Sequence, residues 1–293
     1  MYISNYRKTA GLFAAAVFFV SATVTVPAQK AAAGKKLPPL GPVNRVPPEP
    51  RNWEDHAGWT SLFDGKTLTG WSGAPEVWSV ADGAIVGSSS EAVPSGTTNL
   101  IYKVSQFANF RLRMEVKMEG TGANGGVQYR SHIVPVRDRI PPANPTEEQK
   151  VRMARVAELN KKHAAWNMTG YQMDFNYDNR YTGQLYEQSS ERGIMTYPGQ
   201  VVAFEGRGTK PRVVAESGTA EQLKSYLKKD EWNEIEIIAD GHTLTHIVNG
   251  HVFTQTIDTD PERMAASGYI ALEIEGPGTL RILHRNIYIK KLP

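Results

Sequence analysis

The chain has 293 residues, 40% of them hydrophobic and 22% charged, an ordinary globular composition with room for one large domain or two small ones. A formal charge of +3, with no basic run beyond short lysine pairs, leaves no electrostatic footprint for nucleic acid. Cysteine is absent, which excludes disulfides, thiolate metal sites, a cysteine nucleophile and a lipid-modified N-terminal cysteine.

Arg7 and Lys8 precede an apolar run from Ala10 to Val26, and Val26-Pro27-Ala28 puts small residues at a cleavage spacing. This reads as a secretory signal over residues 1–28, with a periplasmic or secreted mature protein. Ser21, Thr23 and Thr25 interrupt the run, which is short for a membrane span of roughly 20 residues. No stable membrane insertion is expected after cleavage. Residues 29–57 carry Pro38-Pro39, Pro42, Pro47-Pro48 and Pro50 and read as an extended linker.

From Gly58 the pattern is one of short strands and tight turns, over a domain of residues 58–293. Asp82-Gly83 separates Val77–Val80 from Ala84–Val86, a hairpin signal, and Leu100–Val104 is a further strand. Phe110–Met118 alternates strictly: Leu112, Met114 and Val116 on one face, Arg111, Arg113, Glu115 and Lys117 on the other. The charged face is either solvated or the floor of a polar cleft. In Asn124–Arg130, Val127 and Tyr129 share one face and Gln128 and Arg130 the other. Asn144-Pro145-Thr146-Glu147 predicts a helix capped by Asn144 and running from Pro145 to about Ala164, an excursion beside the cleft.

Gly170–Phe175 and Gln184–Glu187 read as strands joined by a turn at Asp178-Asn179-Arg180. Val201–Lys210 reads as loop and Thr219–Leu227 as a short helix. Asn233–Ala239, Thr243–Val248 and His251–Ile257 form a meander through Asp240-Gly241 and Asn249-Gly250, followed by Tyr269–Ile274 and Leu280–Lys290. The expected fold is all-β: a sandwich of two antiparallel sheets with a short helical insertion. Between Asn124 and Glu187 the chain gathers Gln, Tyr, Arg, Asp and Glu around glycines, the composition of a sugar site.

Several of these stretches resemble a known family. Gly58-Trp59-Thr60-Ser61-Leu62-Phe63-Asp64-Gly65-Lys66-Thr67-Leu68-Thr69-Gly70-Trp71 is similar to the opening of the 3-keto-disaccharide hydrolase domain. Asn124-Gly125-Gly126-Val127-Gln128-Tyr129-Arg130 resembles its Asn-Ser-Gly-Val-x-x-Arg motif, with Gly125 for the usual Ser. Gly170-Tyr171-Gln172-x-Asp174 and Thr182-Gly183-x-Leu185-Tyr186 resemble its central motif. Glu231-Trp232-Asn233, Val248-Asn249-Gly250 and Arg285-Asn286-Ile287-x-Ile289-Lys290 match its C-terminal signposts. The resemblance implies a concanavalin A-like jelly roll with its site on the concave face. It also implies a small carbohydrate substrate, a glycoside whose ring carries a ketone at C3. The family often has Gln where Glu273 stands and Glu where Gln172 stands, so the carboxylates are rearranged here.

A C3 ketone acidifies the C2 hydrogen. A base can remove it, the C1 glycoside then leaves by elimination, and water can add back. That chemistry needs a tuned base, a group facing the oxyanion and a proton donor. Asp174 or Glu115 is the candidate base, or the holder of a divalent cation. Arg130 is the candidate for the oxyanion, and Tyr186 for the proton donor or a sugar contact. Gln172, Asn124, Gln128, Tyr171 and Glu273 are candidates for binding the sugar. An Arg130–Asp174 structural ion pair stays open, and His132 and His163 read as ordinary histidines. The competing reading is a lectin-like carbohydrate-binding module, served by Trp71, Trp78, Trp166 and Tyr171. A laminarinase-type glucanase is rejected, because Lys117 stands where Glu-x-Asp-x-x-Glu needs its Asp.

Overall fold

The structure, a computed structural model, describes residues 52–136, 143–207, 209–276 and 278–293. The signal and most of the linker expectation lie outside the described residues. Among the described residues, no helix is long and apolar enough to cross a membrane.

The elements in the first half are β1 (Thr60–Ser61), β2 (Trp71–Ser72), β3 (Trp78–Ala81), β4 (Ala84–Ser89), β5 (Gly96–Tyr102), β6 (Phe110–Glu119), β7 (Asn124–Ile133) and α1 (Glu147–Lys162). Then come β8 (Met168–Asn176), β9 (Leu185–Gln188), β10 (Gly193–Thr196), β11 (Gln200–Phe204), β12 (Arg212–Glu216) and α2 (Ala220–Ser225). The chain closes with β13 (Asn233–Asp240), β14 (Thr243–Val248), β15 (His251–Asp258), β16 (Tyr269–Gly276) and β17 (Leu280–Lys291).

They form a ten-stranded sheet, ordered β12-β11-β15-β14-β13-β6-β17-β4-β3 with β1 on β17, and a seven-stranded sheet, β10-β9-β8-β7-β16-β5-β2. Leu112, Met114 and Val116 of the large sheet share one apolar core with Val127, Met173 and Leu272 of the small one. The result is the expected all-β jelly-roll sandwich.

Local chemistry explains the hairpins. Asp82-Gly83 and Asn249-Gly250 both adopt positive φ (51° and 74°, 48° and 83°), the left-handed pair that matches strand twist. Pairing in the sheets is antiparallel except that β11 runs parallel to β15. The loop expected over Val201–Lys210 is therefore strand through Phe204. Val201-Val202-Ala203-Phe204 shows no alternation of polarity, and pairing with β15 on one side and β12 on the other decides its conformation. Helix α1 starts two residues later than Pro145. Thr146, not Asn144, is its cap: Thr146 accepts from the Gln149 amide, and the Gln149 side chain accepts from the Thr146 amide.

The charged face of β6 turns away from the core on the large sheet. Arg111 and Arg113 both donate to Glu236, at 2.8 and 3.2 Å. Arg113 also lies over the rings of Trp59 and Trp53, at 4.4 and 4.9 Å.

Candidate functional site

The small sheet alternates in the usual way, and its apolar set faces the core. Its other face carries the polar set. Register places Asn99 of β5, Glu273 of β16, Gly126 of β7 and Asp174 of β8 in one row. The next row holds Ile101, Ala271, Gln128, Gln172 and Tyr186. On the other side of the first row come Thr97, Glu275, Asn124 and Asn176.

Gly126 is what allows this row. A Cβ there would meet Gln172 Nε2 at 2.6 Å and the Met173 carbonyl at 2.6 Å. Without it, Gln172 reaches over the strand and donates to Glu273 Oε2. Gln188 Nε2 donates to the other oxygen, Oε1, at 3.0 Å. Gln172 in turn accepts from Gln128 Nε2 at 2.8 Å, and Gln128 Oε1 accepts from Ser131 at 2.9 Å.

The second carboxylate is Asp174, buried, which accepts from Gln184 Nε2 at 2.6 Å. Burial pushes its pKa up from 3.8 to about 7; the Gln184 hydrogen bond opposes that and the Glu275 charge adds to it. The third is Glu275, which accepts from Asn124 Nδ2 at 2.9 Å. Asn124 Oδ1 accepts from the Tyr181 hydroxyl at 3.0 Å. Burial and then the charges of Asp174, Glu275 and Glu273 push the Tyr181 phenol up to about 12, so it stays protonated at neutral pH. Two buried acceptors near the ends of the first row, Asn99 Oδ1 and Gln184 Oε1, have no hydrogen-bond partner among the described residues. A 3-10 turn, Ala164–Trp166, follows α1 and lies against β5, with the Trp166 carbonyl accepting from Asn99 Nδ2 at 2.9 Å.

Asn124, Gln128, Gln172, Asp174, Tyr186 and Glu273 thus share one face. Gln128 and Gln172 are buried and spend their amides on each other and on Glu273. Three expected residues do not join them. Glu115 is on the outer face of the large sheet, held by Arg285 (Nε at 3.0 Å, Nη2 at 3.1 Å) and by Asn286. Arg130, at φ 47°, leaves the strand at a bulge and donates to the carbonyls of Ala108, Gly241 and Ala265 and to Asn109 Oδ1. It clamps loops, and no ion pair joins it to Asp174. Tyr171 alternates into the core, where its hydroxyl donates to Asp258 Oδ2 at 2.5 Å. Asp258 also pairs with Arg192, which reaches Glu187 as well.

Sequence reasoning passed over Tyr181, Gln184, Gln188, Ser131, Asn99 and Glu275. Glu275 is two residues from Glu273, and Gln188 two from Tyr186, so the strand period carried a signal for both. Nothing local marked Ser131, which lies in the bulge between Tyr129 and His132. His163 lies 3.2 Å from Glu76 Oε1. Among the described residues, no group of three or more His, Asp or Glu could hold a metal ion. The site carboxylates face amide N–H donors instead of converging on one point, which does not suit the divalent-cation expectation. A hollow lined by Met118, Phe175, Tyr177, Lys228 and Asp230 opens elsewhere, away from the polar rows.

Against known proteins, a family model described as a 3-keto-alpha-glucoside-1,2-lyase-like domain matches residues 58–290. The chain belongs to this family. A 3-keto-disaccharide hydrolase of Bacteroides thetaiotaomicron is 34% identical over 92 residues, which span 29% of this chain and 31% of that protein. The matched part is thus about a third of that relative. A candidate glycosyl hydrolase from Parabacteroides distasonis is similar at TM-score 0.46 and 18% identity, over 80% of this chain and 99% of that one. A carbohydrate-binding module from Bacillus subtilis is similar at TM-score 0.41 and 11% identity, over 80% and 96%.

Proposed function

We propose that the protein cleaves 3-keto-glycosides on the polar face of the small sheet, by C2 deprotonation, elimination at C1 and addition of water. Asp174 is the base. A carboxylate raised to about 7 combines useful basicity with substantial ionisation at neutral pH, and this observation carries the reading. Tyr181 keeps its proton and, by turning it from Asn124 Oδ1, donates to the oxyanion that develops at the C3 oxygen. Asn124 holds the Tyr181 hydroxyl in place and is itself fixed by Glu275. Family membership supports the ketone requirement. The apolar N-terminal run supports export to the periplasm or exterior, which mass spectrometry of the mature N-terminus would test.

The test is aglycone release from a chromogenic 3-keto-glycoside beside its unoxidised parent, with and without chelator. Release from the keto sugar alone, rising with pH through about 7, is the expected result. Release from the unoxidised sugar, or glycan binding without release from either, would overturn the proposal.

A further inference from the structure

The chain Ser131–Gln128–Gln172–Glu273 has an orientation that its last member fixes. Carboxylate oxygens only accept, so Gln172 must turn its N–H to Glu273 and its carbonyl to Gln128. Gln128 must then turn its N–H to Gln172 and its carbonyl to Ser131, whose hydroxyl donates. The same four groups also satisfy the opposite state. If Glu273 carries a proton it donates to the Gln172 carbonyl, and both amides turn over. Gln128 then donates to Ser131 Oγ. Ser131 gives its proton to a backbone carbonyl, and two stand ready: Tyr129 O at 3.0 Å and Tyr171 O at 3.3 Å. Gln188 can donate to Oε1 in both states. Neither direction orphans a polar atom of the relay, which burial would otherwise make costly.

We propose that this reversible amide relay lets the buried Glu273 gain and release a proton, making it the group that serves the C1 oxygen. Gln172, Gln128 and Ser131 are its positioning residues. The assignment rests on the keto-glycoside reading above. Gly126 pairs with Glu273 on one side and Asp174 on the other, so the two carboxyl groups stand two strands apart, roughly 10 Å between backbones. A sugar ring seated above this row, over Gln172, meets one group at C2 and the other at C1. In elimination Asp174 takes the C2 proton, the C1–O bond breaks, and Glu273 gives its proton to the departing oxygen. In hydration Glu273 takes a proton from water as the hydroxide adds to C1, and Asp174 returns its proton to C2. Both groups end as they began, and the net change is hydrolysis. Among the described residues, the groups around Glu273 are Glu275 on its own strand, Asp174 across β7, Tyr181, and Tyr186 and Gln188 on β9, with neutral Asn99 on β5.

The test is a pH titration of the mature protein labelled with 15N-glutamine, read by NMR at the side-chain amides. Gln128 and Gln172 should move with one shared midpoint, and Glu273→Gln should abolish that transition. Ser131→Ala should displace the midpoint, together with one limb of the kcat profile on a 3-keto-glycoside, by about one pH unit or more, a tenfold change in the equilibrium. Different midpoints for the two amides, or no transition in the wild type, would overturn the relay. That titration needs no variant, so a substitution that fails to fold leaves it intact. A shared midpoint without aglycone release would keep the relay and sink the keto-glycoside reading; release with independent amides would do the reverse.

Discussion

The outward faces of the two sheets are both charged, and they differ in how the charge is answered. On the large sheet, carboxylates meet cations: Glu236 meets Arg111 and Arg113, and Glu115 meets Arg285, which lies 4.1 Å over Trp232. On the small sheet, Asp174 and Glu275 accept from neutral amides, as Glu273 does from Gln172 and Gln188. A cation cancels the charge and leaves an inert pair. An amide satisfies the geometry and leaves the charge in place, so burial can raise the carboxyl pKa. Chemistry is expected on the face where the partners are neutral.

The comparison is broken most directly at Asp174. Asp174→Asn should lower kcat on a 3-keto-glycoside by roughly 10²–10⁴-fold, the usual worth of a general base. The same variant should be the more stable protein at pH 8.5. The folded pKa lies above the ordinary carboxyl value of 3.8, so its contribution to stability is present below pH 3.8 and lost as pH rises through about 7. The rise corresponds to ~4 kcal/mol in the limit of full ionisation. Melting curves at pH 5 and 8.5 should show the gap between variant and wild type widening at the higher pH. A gap independent of pH would show that Asp174 is not raised.

Gly126→Ala is the next largest. Its methyl group would take the space of Gln172 and loosen the row around Glu273. A loss of ~10²-fold in kcat from misplacement, with about 1–3 kcal/mol of destabilisation from overpacking, should appear in kinetics and urea melts. Tyr181→Phe removes only the hydroxyl. It should lower kcat about 10–100-fold, the worth of a hydrogen bond to a charged group, with little change in Tm. The smallest effect sharpens the contrast from the other side. Glu115→Gln removes one partner of a partly buried ion pair on the outer face, so activity should stay within about twofold and stability within ~1 kcal/mol. A large loss of turnover there would return the large sheet to the chemistry.

The sequence by itself determined most of the longer strands and their faces, while β10, β11 and β12 were not legible in it. Alternation in β6 and the Asp-Gly and Asn-Gly turns are local: steric preference and side-chain period act within a few residues. The same period put Gln128, Gln172, Asp174 and Glu273 on polar sides of strands. Tertiary structure alone decided which of them meet. Strand order brings β16, β7 and β8 together, although Glu273 and Gln172 are 101 residues apart in the chain. A bulge after Tyr129 sends Arg130 away from the face its position in the motif suggested. Tyr171 faces the core because its neighbour Gln172 faces out, and Glu115 lies in the other sheet. Which charges are cancelled by cations and which are left to amides is also a property of strand order. Pairing between distant segments sets it, and no local pattern encodes it.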